Sequence, residues 1–173
     1  MQLIEIINEN DYTFGSSDNK NIYSFEMNLE PEYRPSAIHG VKVNGESVAV
    51  FGAAGGKSVI HGNSIITVNE KSYLAVGQFV VCFISDPFEF LWCIGVDSIA
   101  CFGVHYNKLK NAFISHGEIS IVRFNESGNI IWSSDGADIF TGNFSLLNSH
   151  IEVFDFNDSK YRIDYDTGSS ECI

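Results

Sequence analysis

Two stretches of the chain, forty residues apart, read alike. Tyr73-Leu-Ala-Val-Gly77 aligns with Phe113-Ile-Ser-His-Gly117, and carrying the alignment on without a gap brings Trp92 onto Trp132. Each copy reads aromatic, aliphatic, small, any residue, glycine. A strand-like run follows (79–84 and 119–124), then a turn, then an aliphatic pair ending in Trp. A third, degenerate copy runs from 144 to 164, with Phe156-Asn157 falling on Phe124-Asn125 at an offset of 32 and Asp164 where Trp would stand. A fixed period of this length marks a hairpin unit that cannot cover its own apolar faces and must stack against its neighbours. The first copy makes the demand plainest. In Phe79-Val-Val-Cys-Phe-Ile84 both alternating faces are apolar, so this strand has to be covered on two sides. Arg123, Glu152 and Asp155 give the later copies mixed faces, as expected nearer an edge or solvent.

The rest of the chain is punctuated in the same way. Strand-like runs fall at 2–8, 21–28, 36–43, 47–51, 64–68, 72–76, 79–85, 88–94, 99–106, 111–115, 118–124, 129–132, 143–147, 150–156 and 160–165. Turn chemistry separates them, as in Asn44-Gly45, Ser127-Gly128-Asn129 and Asn157-Asp158-Ser159. No window of a dozen residues carries a 3.6-residue apolar period. The 173 residues suit one domain, 1–173, with N-terminal strands over 1–70, hairpin repeats over 71–166 and a tail over 167–173. The expected fold is all-β: an antiparallel meander of stacked sheets, partly propeller-like or a sandwich, with little or no helix.

The phrase Ile121-Val-Arg-Phe-Asn-Glu-Ser-Gly-Asn-Ile-Ile-Trp132 resembles a blade of quinoprotein-type and WD-repeat β-propellers. In those, a strand, a glycine turn and an aliphatic–Trp strand recur about every forty residues. The resemblance covers residues 72–166. It implies a propeller-like meander of stacked antiparallel sheets but supplies too few copies to close a wheel, which takes at least about four blades. It carries no functional residues across.

Charge is unevenly placed along the chain. The net charge of −12 divides into −6 over residues 1–33, +1 over 34–123 and −7 over 124–173. Binding to phosphate backbones or anionic membranes needs Lys and Arg, so neither nucleic acid nor a membrane is an expected partner. A basic protein would be attracted and steered. Cys82, Cys93 and Cys101 sit in apolar runs, and with Cys172 they form no C-x-x-C pair of zinc spacing. The start shows no leader pattern and the apolar stretch 73–84 is too short for a membrane helix, so the expected compartment is the cytoplasm. No cofactor and no metal is expected, and nothing in the sequence sets the oligomeric state.

Four motifs suggest chemistry. Gly52-Ala-Ala-Gly-Gly-Lys-Ser58 looks like a phosphate-binding loop but is one residue short between its outer glycines and no helix pattern follows, so it reads as a strand connection. Asp155-Phe-Asn-Asp-Ser159 with Asp166 looks like a calcium loop, yet Lys160 stands where a sharp turn needs Gly, so it reads as a hairpin turn. His105 and His116, near Cys101 and Glu118, could form a Cys–His nucleophile pair, against which His116 occupies the strand slot of Val76. Ser134-Asp-Gly-Ala-Asp138 is an acidic turn directly after Trp132, a site for a binding loop on a rigid scaffold.

These features point first to a protein-interaction module, in its sharper form an acidic inhibitor or immunity-type protein that binds a basic toxin through Glu126, Asp135, Asp138, Glu152, Asp155 and Asp158. No residue is assigned a catalytic role. One alternative is a small-molecule or carbohydrate-binding β domain, which needs Trp92 or Trp132 exposed. Another is a hydrolase with Asp135 and Asp138 as paired carboxylates.

Overall fold

A computed structural model describes residues 2–57 and 59–173, and these form four four-stranded sheets with no helix. Sheet 1 is built from β1 (Ile4–Asn8), β2 (Phe25–Asn28), β3 (Ala37–Val43) and β4 (Glu46–Ala53), in the order β1-β3-β4-β2. Here β2 runs parallel to β4 and the other neighbours are antiparallel. The next three sheets are simple meanders. Sheet 2 holds β5 (Ile65–Val68), β6 (Lys71–Val76), β7 (Phe79–Ser85) and β8 (Phe88–Gly95). Sheet 3 holds β9 (Cys101–Asn107), β10 (Ala112–Gly117), β11 (Ser120–Phe124) and β12 (Ile130–Asp135). Sheet 4 holds β13 (Phe144–Leu146), β14 (His150–Phe154), β15 (Lys160–Asp164) and β16 (Ser170–Cys172). Each of the fifteen strand-like runs in the sequence overlaps one of these strands; β16, inside the stretch read as a tail, is the addition.

Three apolar cores join consecutive sheets. Leu74, Val76, Val81 and Phe83 of sheet 2 pack on Val41, Ala49 and Phe51 of sheet 1. The alternate residues Tyr73, Ala75, Val80 and Cys82 pack on Val104, Phe113, Val122 and Phe124 of sheet 3. Sheet 3 is covered on its second face too, where Ala112, Ile114, Ile121 and Trp132 meet Ile151, Val153, Tyr161 and Ile163 of sheet 4. The second copy is thus an interior ribbon like the first, and the polar Arg123 is accommodated because its Nη1 reaches the Tyr165 carbonyl 2.7 Å away.

The repeat is visible as cross-strand rows. On the faces pointing down the array, sheet 2 aligns Ile66, Tyr73, Cys82 and Trp92. Sheet 3 aligns His105, Ile114, Arg123 and Trp132. Sheet 4 aligns Ser145, Glu152, Arg162 and Glu171. Glu171, not Asp164, therefore stands where the Trp residues do, because the third copy includes β16. In sheet 4 the row faces away from the core between sheets 3 and 4 and is an ion-pair ladder, with Lys160–Glu152 at 2.9 Å and Arg162–Glu171 at 3.6 Å. The opposite end of the array is closed differently. Tyr12, Phe14 and Tyr23, from the connection between β1 and β2, lie over Ile38 and Val50.

Candidate functional site

Strand direction alternates, so the connections of this array gather at two ends. One end carries the β6–β7, β10–β11 and β14–β15 turns and the crossovers between sheets, including residues 96–100 and 136–143. Asp97 organises its middle. One carboxylate oxygen accepts from Ile99 and Ala100 N–H, and the other accepts from Ile119 and Ser120 N–H at 2.8 and 2.9 Å. This ties the crossover into sheet 3 to the β10–β11 turn of the same sheet.

The six acidic side chains proposed as a binding surface do not form one. Asp135, Asp138 and Asp158 are exposed at this crossover end. There Asp135 accepts from Ser120 Oγ at 2.6 Å and Asp138 from Asn157 Nδ2 at 2.6 Å. Glu126 lies in the β11–β12 turn at the other end, near Asn69 Nδ2. Glu152 sits mid-strand on the outer face of sheet 4, where hydrogen bonds from Lys160 and His150 hold its carboxyl below the usual range. Asp155 is only 3 % exposed and cannot meet a partner. Burial pushes its carboxyl up, but the Ser159 and Asn157 N–H groups and the Tyr161 hydroxyl outweigh that and hold it low. It is the pin of the β14–β15 turn.

The other motifs resolve in the same manner. Asp166 lies in the β15–β16 turn, 3.5 Å from Arg123, so the calcium-loop oxygens are not brought together. In the glycine-rich loop, Gly52 and Ala53 end β4, Ala54 N–H donates to Glu30 and Gly56 N–H donates to Ile99 O at 2.6 Å; Ser58 lies outside the described residues. Cys101 is fully buried toward sheet 2, which pushes its thiol up to about 12, while His105 and His116 face sheet 4. They are therefore not a nucleophile pair. Asp135 and Asp138 bind separate partners rather than facing a shared proton. Of the two Trp residues proposed as stacking platforms, Trp132 is buried and Trp92 is half-buried. The Trp92 indole lies over Gly128 and donates to Glu126 O, and Trp132 is buried over Gly168 and donates to Tyr165 O.

Two features escaped the sequence reading. His105 and His116 flank the Phe144 ring, with centroids 4.5 and 4.6 Å away. Burial, then His116 and His61, pushes His105 down to about 4, and burial lowers His116 as well. The second is a cavity of about 370 Å³ between this cluster and the glycine-rich loop, lined by Lys57, Val59, His61, Phe102, His116 and Thr141. Its residues come from four separate places, the 57–61 loop, β9, β10 and the 136–143 crossover, and no local pattern links them.

No known protein family matches the sequence, and no curated protein matches it. Among solved structures, the WD40 domain of Neurospora crassa Pan2 is similar at 16 % identity and a TM-score of 0.54, over 64 % of this chain. The chain spans 37 % of that one. The likeness is one of fold: four stacked, four-stranded sheets make this an all-β, propeller-like array with WD-repeat resemblance.

Proposed function

We propose that this chain is a protein-interaction module whose crossover end captures a basic protein partner. One observation carries the reading. Among the described residues, the ion pairs lie on the outer face of sheet 4 or around Asp166 at the opposite end, with Lys110, Arg123, Lys160, Arg162 and His150 as their cations. Asp135, Asp138 and Asp158 at the crossover end take part in none of these pairs. Unneutralised carboxylates on a rigid scaffold leave a negative field that a basic surface would complement, raising the association rate more than the intrinsic affinity. The sharper form is an inhibitor or immunity-type protein, working in the cytoplasm, whose carboxylates occupy the phosphate-binding surface of a basic toxin such as a nuclease.

The test is capture from the source organism's lysate at 50 mM salt, followed by affinity measurement with the identified partner. Raising salt to about 0.5 M should weaken binding by about tenfold or more, chiefly through a slower on-rate. D135N/D138N/D158N should weaken it at low salt and flatten that salt dependence. An affinity unmoved by salt would refute the reading.

A further inference from the structure

The cavity beside the glycine-rich loop has apolar walls and two free polar groups. Its histidines are spent on the fold. The His61 ring donates from Nε2 to Phe102 O and accepts at Nδ1 from Asn63 N–H 3.1 Å away. His116 donates from Nε2 to Phe140 O at 2.9 Å, with its ring stacked on Phe144. These rings, Phe102 packed edge-on to His116 at 5.4 Å, and Val59 present mostly carbon to the cavity. Lys57 Nζ and Thr141 Oγ1 bond to no other described residue. Among the described lining residues Lys57 is the single Lys or Arg, carried by a loop that Gly56 pins to Ile99 O.

An apolar bowl of about 370 Å³ with a few convergent polar groups is the ordinary form of a small-ligand site. The unpaired ammonium selects the charge of the occupant. We propose that this cavity binds a small amphipathic monocarboxylate, an aromatic or branched-aliphatic acid of roughly ten heavy atoms, with its apolar body against Phe102, Val59 and the histidine rings and its carboxylate on Lys57 and Thr141. The acidic surroundings of this end disfavour polyanions, so a single negative charge is what the site tolerates. The site uses none of the carboxylates assigned to the basic partner, and the two readings stand or fall separately.

The experiment titrates the whole chain with 3-phenylpropionate, 3-phenylpropanol and 3-phenylpropylamine, followed by proton shifts of the His61 and His116 rings. The acid should bind with a Kd of about 1 mM or tighter, and the isosteric alcohol and amine about five- to tenfold more weakly. K57Q should erase that preference while leaving the alcohol unchanged, and V59D should abolish binding of the acid. Both positions are exposed, so neither variant threatens folding. Equal binding of acid and alcohol, a preference that survives in K57Q, shifts confined to other residues, or no saturation of the histidine shifts would each overturn the proposal.

Discussion

Gly128 and Gly168 occupy the same place in successive sheets, and each is held there by a Trp from the sheet before. Their φ angles are +81° and +71°, in the left-handed region that glycine enters without strain. A Cβ on Gly168 would lie 2.6 Å from the Trp132 ring, and one on Gly128 would lie 2.8 Å from Trp92. G128A and G168A should therefore each cost about 1–3 kcal/mol in urea unfolding, from backbone strain and a displaced indole together. Nearly equal losses would reflect the repeat; a loss at only one site would show that the two turns are not equivalent. The histidines beside Phe144 set a second outcome. An unfolded histidine titrates near 6.5 and folded His105 near 4, so the folded state binds fewer protons between those values. The His105 contribution is complete above about pH 6.5 and is lost as pH falls toward 4, about 3 kcal/mol in all if the whole shift is expressed. Unfolding followed from pH 7 to 4 should show that loss in the native chain and a flatter profile in H105Q. An H105Q profile as steep as the native one would assign the loss to other groups.

At the scale of the strand, two neighbouring residues tell an interior ribbon from a terminal one. On β7, Val80 and Val81 point to different cores, so V80A and V81A should both destabilise, by about 1–3 kcal/mol each. On β15, Ile163 is buried and Arg162 faces solvent, so I163A should cost about 2–5 kcal/mol and R162A less than about 0.5. Thermal melts of the four variants check the contrast. The two-faced character of β7 is legible in its unbroken apolar run, and Ile130-Ile131-Trp132 marks β12. Ser170-Glu171-Cys172 carries no such signal. All three residues are exposed, and β16 is held by its ladder to β15 and the Ile173 N–H bond to Lys160 O. A strand held by backbone pairing and one exposed ion pair leaves no hydrophobic period to read. That omission displaced the third copy to an offset of 32 and put Asp164 in the Trp position. The acidic surface suffered similarly, because spacing cannot tell Asp155, turned inward to pin its own hairpin, from Asp158 three residues on, turned outward. The cavity at Lys57 was not legible at all, since two connections and two strands far apart in the chain assemble it.

For the whole molecule, the consequence is a linear order of stability. The three cores connect sheet 1 to 2, 2 to 3 and 3 to 4, so each sheet depends directly on its neighbours. Arrays joined this way behave approximately as sums of unit and interface terms, and their ends open first. Sheet 4 is the more exposed end, because its outer face is an ion-pair ladder, whereas the outer face of sheet 1 is covered by Tyr12, Phe14 and Tyr23. Amide exchange should therefore be slowest in β6, β7, β10 and β11 and fastest in β15 and β16. I163A, which weakens only the last interface, should speed exchange throughout sheet 4 and leave β3, β4, β6 and β7 nearly unchanged under conditions where opening is local. A uniform rise across all four sheets would mean that the array opens as one cooperative unit, with coupling between sheets stronger than these nearest-neighbour cores supply.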